Sequence, residues 1–311
     1  MKQRILVTPR SATKSGHPSL AALAERGFEV VLSRPGVLPT EEYLLNRLPG
    51  CVGYLAGVET ISAAVLENAK GLKAISRNGT GADAIDLAAA ERLGIKVLRA
   101  QGANARGVAE LAMTLLLCIS RSLTQSDRSI KAQRWERHEG FELEGRTLGL
   151  VGCGQIGRLV TDFGLAFGMK IVAYDPRPNW KDAPDGFRYA SFEELVATSD
   201  AISLHCPPGP EGRPVLDRET IGKLRDGVIV INTARGGLID DDAMLQALDS
   251  GHVKGIGLDV FDNEPPDDWR LALHPKAVSS PHIGGYTPES IDRAMYSAVQ
   301  NLLDALGSRP A

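Results

Sequence analysis

Apolar and polar positions alternate in blocks along the first hundred residues. Short runs rich in β-branched and aliphatic side chains read as strands, at Ile5–Thr8, Phe28–Leu32, Val52–Ala56, Leu72–Ser76 and Ile95–Leu98. Helical spacing appears between them, at Leu20–Arg26, Glu41–Leu48, Ile61–Asn68 and Asp86–Leu93. Pro9 ends the first strand, and Gly27 and Gly94 stop two of the helices. Ala105–Leu123 interrupts this rhythm as one long apolar helix, continued by a polar helix through Trp135. A second alternating block follows, with strands at Thr147–Val151, Lys170–Tyr174, Ala201–His205, Val228–Asn232, Gly255–Leu258 and Ala277–Ser279. Its helices fall at Gly157–Phe167, Phe192–Ala197, Ile221–Lys223 and Asp241–Ser250, and an amphipathic helix, Pro288–Leu306, comes last.

Composition narrows the function classes. The chain has 311 residues, 43% of them hydrophobic, which is ample for two packed domains. The net charge of −3 and the scattering of the 35 basic residues give no footprint for nucleic acid or an anionic membrane. Cys51, Cys118, Cys153 and Cys206 are far apart and form no C-x-x-C pair, so no metal site is expected. The opening MKQRILVTPR reads as a strand and not as a signal peptide, and the apolar stretch Leu111–Ile119 is too short to span a bilayer. The expected location is the cytoplasm.

The second block opens with the most specific local signal. Thr147–Val151 runs straight into Gly152-Cys-Gly-Gln-Ile-Gly157, a G-x-G-x-x-G turn between a strand and a helix. The first glycine permits the tight turn, the second lets a pyrophosphate approach the backbone, and the third lets helix and strand pack closely. Gln155 and Ile156 would offer free amides at the helix N-terminus. Asp175 ends the next strand, where a carboxylate accepts hydrogen bonds from the adenosine ribose and repels a 2′-phosphate. The implied cofactor is therefore NAD. Six strands suit a complete dinucleotide-binding fold. The expected fold is α/β with two doubly wound parallel-sheet domains, a Rossmann-type cofactor domain inserted into a flavodoxin-like one. The cofactor domain would cover residues 101–284, and residues 1–100 with 285–311 would form the substrate-binding domain.

Three polar residues follow strands of the cofactor block, at the carboxyl edge where such sheets bind ligands. They are Arg235 in Asn-Thr-Ala-Arg-Gly-Gly, Glu264 before Pro-Pro, and His282 in Ser-Pro-His-Ile-Gly-Gly. Reduction of a 2-oxo acid needs a cation for the carboxylate and carbonyl, an acid for the new alkoxide, and a carboxylate that orients the acid. Arg235, His282 and Glu264 fit those roles. Taken singly, each also reads as an ordinary loop residue.

The ordered stretches Gly149–Gly157, Ser199–Pro207, Asn232–Asp240, Gly257–Pro265 and Pro281–Gly284 resemble the D-isomer-specific 2-hydroxyacid dehydrogenases. The resemblance implies a catalytic set of Arg235, Glu264 and His282. It also implies cofactor contacts from His205, Cys206, Pro207, Thr233, Ala234 and Gly284, and from Asp259 to the nicotinamide carboxamide. Within the family, Ser76–Asp86 and Arg134–Arg137 look most like the phosphoglycerate dehydrogenases, in a short form without their regulatory domains. On that likeness Asn78 and Gly79 would hold the substrate carboxylate. Arg77, and Arg137 from a partner subunit, would meet a phosphate or phosphonate tail. Tyr286 after Ile-Gly-Gly, and the segment Cys206–Pro210, depart from the family pattern. The alternatives are a glyoxylate or hydroxypyruvate reductase, which needs neither arginine, and a non-catalytic NAD(H)-sensing protein of the corepressor kind. A homodimer through the cofactor domains is expected.

Overall fold

The computed structural model describes residues 2–209 and 212–307. Pro210, and residues 308–311 of the expected outer domain, lie outside them. The chain divides into two compact units, one running to Asn104 and resuming at Thr287, the other Ala105–Tyr286. The joints read from the sequence, near Ala100 and Gly284, fall a few residues before these.

The first unit is built on strands β1 (Arg4–Val7), β2 (Glu29–Leu32), β3 (Cys51–Ala56), β4 (Ala74–Arg77) and β5 (Lys96–Arg99). They form one parallel sheet in the order β2-β1-β3-β4-β5, which is flavodoxin-like. The alternation of side chains along each strand makes two cores. Leu6, Tyr54 and Ile75 face Leu44, Val65 and Leu66 on one side. Ile5, Val7 and Leu55 face Leu23, Met295, Val299 and Leu302 on the other. The last three belong to the helix Pro288–Leu306, which returns the end of the chain to its first unit. That helix starts cleanly because Thr287 Oγ1 accepts the Ser290 amide and Pro288 occupies the first turn.

The second unit carries β6 (Thr147–Val151), β7 (Lys170–Tyr174), β8 (Phe187–Tyr189), β9 (Ala201–Leu204), β10 (Val228–Asn232), β11 (Val253–Leu258) and β12 (Ala277–Ser279). The sheet is parallel throughout in the order β12-β11-β10-β9-β6-β7-β8. The order reverses between β6 and β9, the point where open α/β sheets receive ligands. Every residue of β10 is buried, as a central strand apolar up to its last residue, Asn232, requires. The helix Ala105–Ser120 lies close on the sheet because Gly255 and Gly257 have no side chain. A Cβ on Gly257 would stand 2.9 Å from Leu115 Cβ, and one on Gly255 2.6 Å from Ile119 Cγ2.

The structure corrects the sequence reading in three places. A helix, Arg10–Ser15, follows Pro9, which begins this helix as well as ending the strand. The sheet of the second unit has a seventh strand, β8, a three-residue edge too short to show alternation. The long helix stops at Ser120, because Ser122 takes a left-handed conformation at φ 48°. The polar helix then runs only over Leu123–Lys131, with Gln133 left-handed beyond it. No single helix among the described residues is long and apolar enough to cross a membrane. Only the bent pair Ala105–Ser120 and Leu123–Lys131 passes on length and composition together.

Candidate active site

The glycine loop has the geometry that its spacing predicts. Gly152 sits at φ 96°, and a Cβ there would meet the His205 carbonyl oxygen at 2.6 Å. A Cβ on Gly157 would meet the Gly152 carbonyl oxygen at 2.4 Å, so the helix start and the turn touch backbone to backbone. Gly154 differs, because nothing lies within 4 Å of a Cβ placed there. It is the N-cap of the helix Gln155–Ala166, which has no side-chain cap and no acidic residue in its first turn. The amides of Gln155 and Ile156 therefore head an uncapped helix end that carries the positive end of the helix dipole.

Asp175 follows β7 and already works inside the protein. Its Oδ2 accepts the Cys153 amide at 2.9 Å and its Oδ1 the Arg177 amide at 2.9 Å, which ties it to the glycine loop. On the other side of the switch point, His205 follows β9. Part of the residue stays at the surface, but both ring nitrogens are buried without a partner. That desolvation pulls its pKa down to about 4, so the ring is neutral at pH 7. Burial pushes the neighbouring Cys206 thiol up to about 11. Thr233, after β10, is buried with its hydroxyl unpartnered. Pro207 is exposed and Ala234 half-buried. Unsatisfied buried polar atoms are rare in folded proteins and ask for an explanation. An open space at Gly154, an uncapped helix end and orphan groups at His205 and Thr233 fit a bound dinucleotide.

Arg235, Glu264 and His282 follow the adjacent strands β10, β11 and β12. Each turn is held by a different device. At Arg235 the buried side chain of Asn232 spans the turn, its Nδ2 donating to the Arg235 carbonyl at 2.6 Å and its Oδ1 accepting the Ala234 amide at 3.0 Å. Gly236 then packs on the backbone of Phe261 and Asp262, where a Cβ would come within 2.2 Å. This contact brings the Arg235 turn beside the one that carries Glu264. The Arg235 guanidinium donates to the Ala234 carbonyl at 2.7 Å.

His282 has a left-handed backbone, φ 54°, which is costly for a residue with a side chain. Asp259, 1% exposed, holds it there. Its Oδ1 accepts from Ser280 Oγ at 2.7 Å and the Ile283 amide at 2.8 Å, and its Oδ2 accepts the Gly284 amide at 2.8 Å. The residues on both sides of His282 are thus clamped to one carboxylate. His282 Nδ1 meets Glu264 Oε2 at 2.6 Å, and Glu264 Oε1 accepts the Phe261 amide at 3.3 Å. The pairing fixes the ring and leaves Nε2 for chemistry. An apolar cavity of about 450 Å³ flanks the pair, lined by Phe261, Trp269 and Leu273 among others.

Asn232, Ser280 and Gly236 were not singled out as site residues from the sequence. One signal was present for Asn232: it is the polar last residue of an otherwise apolar strand, Val-Ile-Val-Ile-Asn. The expected substrate residues fall in both units. Arg77 ends β4 and folds back, its Nη1 donating to the Asn78 carbonyl at 2.7 Å and lying 1.5 Å from where a Gly79 Cβ would stand. Asn78 donates its amide to Ala56, and its Oδ1 is buried without a partner. Arg137 is exposed on the second unit.

The profile of the D-isomer specific 2-hydroxyacid dehydrogenase NAD-binding domain matches residues 113–284. The chain belongs to that family. As a D-2-hydroxyacid dehydrogenase it is an NAD-dependent oxidoreductase. It is 44% identical over 252 residues to a hydroxypyruvate reductase of Thermotoga maritima, covering 79% of this chain and 82% of that one. It is 39% identical over 272 residues to the D-3-phosphoglycerate dehydrogenase of Mycobacterium tuberculosis, covering 86% of this chain and 52% of the relative. The chain therefore spans about half the length of that dehydrogenase. Among solved structures, the TT0316 protein of Thermus thermophilus superposes with a TM-score of 0.87 at 39% identity, covering 98% of this chain and 97% of the other.

Proposed function

We propose that this dehydrogenase interconverts a small D-2-hydroxy acid and its 2-oxo acid, with hydroxypyruvate and glyoxylate as the substrate class. The observation that carries the reading is the 2.6 Å His282–Glu264 pair, held by Asp259 at the carboxyl edge of the cofactor sheet. NADH, when bound, would supply the hydride to C2. Arg235 binds the substrate carboxylate and polarises the carbonyl with its planar fork. His282 Nε2 donates a proton to the oxygen that becomes the hydroxyl, and Glu264 keeps the ring oriented. In the reverse direction the same nitrogen takes the proton back. Gly152, Gly154, Gln155, Ile156 and Gly157 hold the pyrophosphate, and Asp175 the adenosine ribose. His205, Cys206, Pro207, Thr233, Ala234 and Gly284 line the nicotinamide side. Asp259 acts there by shaping the His282 turn. The family likeness assigns Asn78 and Gly79 to the substrate carboxylate.

The small-acid reading takes precedence over a phosphate tail because the hydroxypyruvate reductase relative is matched at 44% identity over 82% of its length, against 39% over 52% for the phosphoglycerate dehydrogenase. Named relatives of both kinds exist, so the substrate profile is the test. Purified protein is offered NADH with hydroxypyruvate, glyoxylate and phosphohydroxypyruvate. Turnover of the first two supports this reading. Turnover of the phosphorylated acid alone returns Arg77 and Arg137 to the role of tail binders. NADH binding without turnover of any acid favours the sensor.

A homodimer through the cofactor units fits the exposed apolar side chains of Leu123, Ile130, Trp135 and Leu273. Sedimentation at micromolar concentration checks it. The four free cysteines fit the cytoplasm.

A further inference from the structure

Arg158 has no part in the chemistry above, yet its surroundings are built. It stands in the first turn of the helix Gln155–Ala166, where a cation opposes the positive end of the helix dipole. Something must offset that disadvantage. Its Nη2 donates to Asn179 Oδ1 at 2.6 Å, and its guanidinium lies 5.0 Å from the centre of the Trp180 ring. Trp180 packs on Phe187 at 5.1 Å, and Phe187 meets Tyr189 edge-on at 5.0 Å. Phe187 and Tyr189 belong to β8, which pairs with β7, the strand that delivers Asp175.

The segment 175–180 is therefore tied at both ends. At its start Asp175 bonds the Cys153 amide of the glycine loop. At its end Asn179 and Trp180 are gripped by Arg158 from the helix that this loop begins. Pro176 and Pro178 stiffen the exposed stretch between the two ties.

We propose that Arg158 is a positioning residue for the adenosine half of the dinucleotide, holding Asp175 and its loop through Asn179 and Trp180. The proposal rests on the NAD reading above. It assigns Arg158 no contact with the nicotinamide and no role in proton transfer. Loss of the clamp leaves Asp175 in place chemically but allows its loop to wander. Binding then has to order the loop again, and affinity falls.

The test compares wild type with Arg158→Ala and Trp180→Leu, which remove the two sides of the clamp separately. Calorimetry gives the affinity for NADH and for ADP-ribose, which lacks the nicotinamide. Trypsin sensitivity after the exposed Lys181 reports the loop itself. Both ligands should weaken together by about 5- to 10-fold in each variant, the size of one cation–π contact with its hydrogen bond. Cleavage after Lys181 should quicken, and kcat at saturating NADH should stay within about twofold. The double variant should be no worse than the more affected single one, because either change opens the same clamp. Wild-type affinity for ADP-ribose in both variants overturns the proposal. So does a kcat that falls as far as the affinity, or a double variant whose loss is the sum of the singles. A wild type that binds neither ligand would instead overturn the NAD reading, so the two failures are distinct.

Discussion

The turn after β6 and the turn after β12 do opposite things with the same backbone. The glycine loop is made by removing side chains, so that its backbone can touch His205 on one side and leave space on the other. The His282 turn is made by adding them, with Asp259 and Glu264 bonding the turn from different positions in the chain. The first offers free amides and an open shape. The second needs a single side chain in a single orientation, and uses a strained φ to obtain it. The difference predicts where each will break.

Among the residues that hold the two turns in shape, the largest effect is expected at Asp259. In Asp259→Ala the amides of Ile283 and Gly284 and the Ser280 hydroxyl lose their acceptor, and nothing holds His282 left-handed. The kcat should fall at least about 10²-fold, since misplacing a general acid forfeits most of what it contributes. The stability should fall by about 2–4 kcal/mol, because the hydrogen bonds lost are to a charged group. Thermal melting and steady-state kinetics on one preparation check both. A variant with normal kcat would mean that the turn holds its own shape.

The glycine loop should break differently at two of its positions. Gly157→Ala forces a Cβ against the Gly152 carbonyl, so both stability and NADH affinity should drop. Gly154→Ala meets no atom of the protein and should melt within about a degree of wild type. Its NADH affinity should still fall by about 10-fold or more, because the added methyl occupies the space meant for the pyrophosphate. Equal NADH affinity in Gly154→Ala and wild type would move the phosphate site elsewhere.

The smallest effect concerns His205, whose neutral ring borders the loop. Its folded pKa of about 4 lies below the unfolded value near 6.5, so the unfolded chain binds the extra proton between those limits. Stability without cofactor should therefore fall as pH drops through that window, by about 1 kcal/mol per unit at most from this group. His205→Asn should flatten that part of the curve, measured by urea unfolding at pH 7 and pH 5. An unchanged slope would show that the ring is not desolvated.

The contrast between the turns also explains what the sequence disclosed. Thr147–Val151, Val228–Asn232 and Asp241–Ser250 could be read with their observed ends, because local patterning decides them. The Gly152–Gly157 turn was legible for the same reason. The helix Arg10–Ser15 was not, since it is mostly polar and buries only Ala12 and Thr13. The role of Asp259 was not legible either. Beside the carboxamide contact that the resemblance implies, its carboxylate bonds Ser280, Ile283 and Gly284, which only the pairing of β11 with β12 brings near. Arg158 carries no local signal of its own; β8, itself unforeseen, places Phe187 behind the Trp180 ring that it meets. Spacing within one turn can be read from a sequence, but contacts between turns wait for the strand order.

The central claim is that His282, oriented by Glu264, moves the proton. It is tested most directly by single-turnover hydride transfer in His282→Ala, with NADH affinity measured on the same protein. The account predicts unchanged NADH binding and a rate lower by about 10³-fold, within the range ascribed to a positioned acid. A rate within threefold of wild type, with binding intact, would contradict it and send the search for the proton donor elsewhere in the site.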